Sequence, residues 1–278
     1  MTDEAAPREQ PFAVWCGWVL VGVFALTPLI AWLGPLAFAV LCALGGILTL
    51  PALKVRDEDR PAAMGLLVIL IWAVGSVVWS PYKPQDLEGA TAAKLIAQAV
   101  LYGALACAAR WAAPRPRTVG LRLLAWGMAG LGVLLTVEAL TGAAVYQALR
   151  LAISDPIRPD LAVKNVAQAG FVLTLLAPAA VLAAARTDRQ VWLALPIAAG
   201  IVTAAVAFGY DALLIALGAS LAAGLAVNFW PQVAPRVLAA IAAIFFLGAP
   251  AIVWAARASG WYATLEASVP LSWSMRMG

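Results

Sequence analysis

Nine apolar runs, each close to the length of one bilayer crossing and each ended by charge, proline or glycine, occupy nearly the whole chain. They cover residues 12–33, 36–53, 61–79, 90–111, 119–139, 163–185, 191–208, 212–229 and 237–256. A hydrocarbon core about 30 Å thick is crossed by about 20 residues of helix. In lipid, backbone polar groups are satisfied only by helices or by closed barrels. Barrel strands alternate apolar and polar side chains, and these runs do not alternate. The expected fold class is therefore all-α, a polytopic transmembrane helical bundle of about nine spans.

Composition closes the other routes. Hydrophobic residues make up 64% of the chain and charged ones 12%, with a mean hydropathy of +0.92, too little polar surface to clothe a soluble globule. The net charge of +4 and pI near 9.2 would suggest nucleic acid as a partner of a soluble protein. Here the basic residues gather at span ends, which reads as membrane topology, so no nucleic acid is expected. Cys16, Cys42 and Cys107 all fall in apolar runs and read as small hydrophobes, not as ligands or disulfides. There is no histidine, which removes the commonest general base and metal ligand. No metal and no cofactor is expected. The first run follows MTDEAAPREQ and ends without a small-residue cleavage pattern, so it is expected to be a retained span, not a removed signal peptide.

Lysine and arginine set the expected orientation. With the N-terminus in the cytoplasm, 11 of the 18 basic residues lie inside and 7 outside, and the short segments KVRDEDR, RWAAPRPRTVGLR and RTDRQ carry the bias. The segment 140–162 is then an external loop, and 257–278 an external tail that opens a periplasmic loop; residues 1–256 form the membrane domain. Tryptophans near span ends, Trp32, Trp79, Trp111, Trp192, Trp230 and Trp254, read as interfacial belts. Ala212, Ala216, Ser220 and Gly224, four residues apart, form a small-residue stripe suited to close helix packing, with a lipid-tail groove as the alternative. No internal repeat is evident, which weighs against a transporter made of two inverted halves.

Charge interrupts the apolar text over the longest stretch around 150–169, where Arg150, Asp155, Arg158, Asp160 and Lys164 surround Pro156 and Pro159. Arginine presents a bidentate fork to phosphate, and helix N-termini favour anions; a solvated loop is the plain alternative. Glu138 and Asp211 stand at the outer margins of their spans. Ionisable groups in spans are functional candidates, but for Glu138 a solvated or salt-bridged edge residue is the simpler expectation, and for Asp211 a helix-start carboxylate. Lys94 can snorkel to the interface.

The order of these features resembles the O-antigen ligase and polymerase family of polytopic membrane enzymes. Three segments carry the likeness. KNVAQAGFVLTLLAPAAVL, beginning at Lys164 and Asn165, is similar to the span with a mid-membrane proline that follows an external loop. AFGYDALLIALGASLAAGLAV resembles the next outer-start helix, with Asp211 where the family commonly has arginine. SVPLSWSMRMG is similar to the Ser-x3-Ser-x3-Arg motif that opens the family's periplasmic loop, here Ser268, Ser272 and Arg276. Family members continue into a loop with a catalytic histidine and further spans, so the chain is expected to be the front part of such a protein.

The resemblance implies a bacterial inner-membrane enzyme of lipopolysaccharide or other surface polysaccharide biosynthesis. Its donor is a polyprenyl-diphosphate-linked glycan and its acceptor a sugar hydroxyl on lipid A core or on another lipid-linked glycan. Arg276 is then the catalytic cation stabilising the departing diphosphate, and Arg150, Arg158, Lys164, Asn165 and Asp211 line the substrate site. Two other readings stay open: a transporter or lipid-carrier flippase using Lys94, Glu138 and Asp211, and a non-catalytic scaffold of envelope assembly.

Overall fold

A computed structural model describes residues 11–55, 57, 60–78, 91–187 and 189–261, and among them there is no strand. Ten α-helices follow in order: α1 Pro11–Leu33, α2 Pro35–Leu48, α3 Arg60–Gly75, α4 Thr91–Trp111, α5 Pro114–Thr141, α6 Ala144–Ala152, α7 Pro159–Thr187, α8 Ala194–Phe208, α9 Asp211–Phe229 and α10 Ala234–Ala258. Among the described residues six segments are long and apolar enough to cross a membrane: α1, α4, α5, α7, α9, and α8 together with the short 3-10 turn Val191–Leu193 before it. α2, α3 and α10 contain shorter apolar stretches. The protein is an all-helical, multi-pass membrane protein.

Helix ends follow the punctuation. Gly34 alone separates α1 from α2, its extended backbone handing over to Pro35 at the first helical turn, where a missing N–H is harmless. The two helices fold back as a hairpin and pack on each other. Pro114 plays the same part for α5. That helix begins five residues before the apolar run at 119, so Arg115, Arg117 and Arg122 are helical residues and not a connecting loop. The expected loop 140–162 is likewise partly helical, since α6 lies within it and α7 begins at Pro159.

α5 is the central helix, packed by α1, α7 and α8. Its contacts depend on missing side chains. A Cβ on Gly132 would collide with the Pro196 carbonyl of α8, and one on Gly200 would stand 2.5 Å from the Gly132 Cα. Gly127 of α5 takes the Pro28 ring of α1 in the same manner, and Gly17 of α1 takes Pro116. In lipid, where apolar side chains gain nothing by leaving solvent, such close backbone approach supplies much of the helix association. A second contact group joins α1, α2 and α4, with Gly46 set directly against the Leu101 backbone.

The outer helices differ. α9 buries only Leu213, and leucine, isoleucine and tryptophan side chains such as Leu195, Ile244 and Trp254 are widely exposed. An apolar surface of that extent suits hydrocarbon, not water. In its C-terminal half the small-residue stripe of α9 does not clamp another helix: Ser220 and Gly224 border a groove of about 430 Å³ between α7, α8 and α9, and a Cβ on Gly224 would meet nothing within 4 Å. The lipid-groove alternative fits this lower half of the stripe better than packing does.

Candidate functional site

The densest polar chemistry in the core lies where α1 and α5 end and α6 and α7 begin. α5 stops at Gly142, and both Gly142 and Ala143 take left-handed backbone conformations, φ 66° and 64°. For a buried alanine this costs about 1–2 kcal/mol, so the surroundings must hold it. The reversal turns α6 back over the end of α5. Ala143 is the N-cap of α6 and has no side-chain oxygen to offer its free amides.

Glu138 supplies that oxygen. Its Oε2 accepts from the Val145 N–H at 3.2 Å, and its backbone carbonyl accepts from the Ala143 N–H at 2.8 Å. Its Oε1 accepts from the Trp32 indole N–H at 2.9 Å, joining residues 106 positions apart. Glu138 is wholly buried. The expectation of a solvated or salt-bridged edge residue is therefore wrong: the side chain is a borrowed helix cap, tied to an indole. Trp32 is corrected with it, since it is buried and not part of an interfacial belt.

Tyr146 continues the cluster. Its ring meets Trp32 edge to face, centroids 5.8 Å apart. Its hydroxyl donates to the Leu33 carbonyl at 3.1 Å and accepts from Asn165 Nδ2 at 3.3 Å. Four helices thus converge through Trp32, Glu138, Tyr146 and Asn165. Asn165, expected in a substrate site, is here a half-buried link between α7 and α6.

The other expected residues are arranged around this knot. Arg150 lies in the last turn of α6 and pairs with Asp155 at 2.5 Å. Its Nε is buried without a hydrogen-bond partner among the described residues. Arg158 is exposed and forms a two-pronged pair with Asp160, Nε to Oδ1 at 3.1 Å and Nη2 to Oδ2 at 2.7 Å. Lys164 is exposed on α7, with no ion pair among the described residues. Each arginine thus turns to a carboxylate of its own segment.

Asp211 is exposed at the first position of α9, and the N-cap is Tyr210, which makes no side-chain capping bond. The Tyr210 ring packs on Phe171 of α7 at 6.1 Å. Phe171 is seven residues beyond Lys164, about 10 Å further along the helix axis. Asp211 thus follows a residue whose ring packs about two turns beyond Lys164 on α7. Lys94 is exposed in the first turn of α4, as snorkelling requires. Ser268, Ser272 and Arg276 lie outside the described residues. Tyr146 is not singled out by the sequence reading, although α6 is strongly amphipathic and its 3.6-residue pattern marks the buried face; Glu138 is singled out, but not as a cap.

Comparison of the chain with protein-family models, with curated proteins and with solved structures gave no match.

Proposed function

We propose that the chain is a bacterial inner-membrane enzyme of the O-antigen ligase or polymerase kind, with about nine spans, its N-terminus in the cytoplasm and its C-terminus outside. It would transfer glycan from a polyprenyl diphosphate to a sugar hydroxyl of lipid A core or of another lipid-linked glycan. The observation that carries this reading is Arg150. Its guanidinium stands at the end of a helix fixed by Glu138 and Tyr146, with Nε–H buried and unpartnered among the described residues. A phosphate exchanging places with the exposed Asp155 would meet the Nη side of that guanidinium. Arg158 and Lys164, on the following segment, add positive charge, and Arg276 is assigned the departing diphosphate by the likeness of its motif alone.

A transporter reading finds less support. Proteins that pass ions or polar solutes keep ionisable groups facing a path near the midplane. Among the described residues the one fully buried carboxyl or basic side chain is Glu138, and it is engaged with Trp32 and the start of α6.

The test uses membranes holding the full chain and a polyprenyl-diphosphate glycan with a photoreactive group. Labelling of the segment 140–165 is expected, and Arg150→Ala should lower it about tenfold or more, the value of a charged hydrogen bond. Equal labelling of the wild type and Arg150→Ala would remove the donor site. Loss of solute uptake in Asp211→Ala vesicles, with surface polysaccharide normal, would favour the transporter.

A further inference from the structure

At the end of the bundle that carries the C-terminus of α4, a second groove runs between α3 and α4. It encloses about 400 Å³, its walls come from apolar side chains including Leu66, Leu70 and Val100, and Lys54 and Arg110 both line it. Gly103 leaves its wall low: a Cβ there would meet only Leu53 Cδ1, at 3.5 Å. Lys54 follows the short turn after α2, and Arg110 occupies the last turn of α4. Both therefore stand at the end of an apolar helix, the depth of a phospholipid headgroup. Trp111, beside Arg110, borders a smaller pocket that Lys54 also lines, adding an aromatic of the sort that prefers the interface. The neighbouring Asp57 is paired with Arg60 at 2.8 Å.

We propose that this groove binds an anionic phospholipid of the surrounding bilayer, its phosphate between Lys54 and Arg110 and an acyl chain along α3 and α4. Basic pockets between membrane helices select anionic headgroups because each cation adds attraction that a zwitterionic lipid partly cancels. The α7–α9 groove, of similar size, has no charged residue in its wall. It can accept a chain but cannot choose a headgroup. The proposal holds for either orientation of the protein, since it needs only that this end meet an interface.

Native mass spectrometry of the full chain in detergent, titrated with phosphatidylglycerol or phosphatidylcholine, tests it. Phosphatidylglycerol should be retained preferentially; Lys54→Ala should weaken it about fivefold, and the double variant Lys54→Ala/Arg110→Ala about twenty-five-fold. Gly103→Leu, which fills the groove without touching backbone, should reduce binding of both lipids while the melting temperature is kept. Gly224→Leu, in the other groove, should leave phosphatidylglycerol binding as in the wild type. Equal retention of the two lipids by the wild type would overturn the proposal, as would undiminished binding in Gly103→Leu; the latter variant decides the matter if the double variant does not fold.

Discussion

Replacing Glu138 should do more damage than replacing any exposed charge. In Glu138→Leu the Trp32 indole N–H and the Val145 N–H, held at 2.9 and 3.2 Å, lose their acceptor. A buried donor left unsatisfied costs about 1–3 kcal/mol; the Trp32 indole is such a donor and the part-buried Val145 N–H adds less, for about 2–4 kcal/mol in all. The left-handed turn at Gly142–Ala143 and the start of α6 lose a support as well. For a chain of this size each kcal/mol shifts the midpoint by about 2–4 °C, so a fall of about 5–15 °C in detergent is expected by differential scanning fluorimetry. Trp32→Phe alone should cost about 1–3 kcal/mol by leaving Oε1 without its donor. The double variant Trp32→Phe/Glu138→Leu removes both partners of one bond, and should lose less than the two single changes added together, with a coupling of about 1–2 kcal/mol. Additive losses would refute the indole link. A midpoint for Glu138→Leu equal to that of Thr141→Ala, an exposed change one turn away, would refute the borrowed cap.

Three further expectations rest on packing and topology. Gly200→Ala puts a methyl 2.5 Å from the Gly132 Cα, where only backbone can give way, so α5 and α8 must part and the thermal midpoint should fall by the equivalent of about 1–3 kcal/mol. Gly130→Ala, where a Cβ would meet nothing within 4 Å, should instead be neutral or stabilise by about 0.5–1 kcal/mol, since helical glycine carries an entropic penalty; the same melting curves check both. α7 has 29 residues and is about 44 Å long, longer than a hydrocarbon core of about 30 Å. Single cysteines replacing Lys164 and Arg186 in a background without native cysteines should therefore react with an impermeant maleimide from opposite sides of sealed vesicles, and reaction of both from one side would show that α7 does not cross.

What could be read from the residues was local. An apolar run ended by Gly34-Pro35 or by the Pro114 cluster is a property of neighbours in sequence, and those helices stand close to where the runs placed them. Errors at the ends also had local causes: Pro114 and Pro159 look like breakers, yet at a first turn they begin helices. The site was harder because its chemistry is not local. Nothing near Glu138 announces that Trp32 will meet it across 106 residues, and a carboxyl at a span end ordinarily reaches water. Ser220 and Gly224 carried the pattern of a tight helix contact, but such a pattern says only that a partner can come close; whether one does is settled by where α7 and α8 lie. Gly132 and Gly200, by contrast, do meet a neighbouring backbone closely.

This difference bears on where a substrate would be gripped. An arginine on a solvated loop samples many positions, and ordering it on binding costs side-chain entropy of up to about 2 kcal/mol. Arg158, exposed just before α7, is of that kind, and Lys164, though on α7, extends an equally exposed side chain. Arg150 is not. It ends a nine-residue helix whose first turn is bonded to α5 through Glu138 and whose Tyr146 is bonded to α1 and α7. The ordering has been done by folding, and a ligand exchanging places with Asp155 would meet a guanidinium already in position. The buried knot and the cation beside it are thus one device, in which a helix is fixed at its start so that a charge is held still at its end.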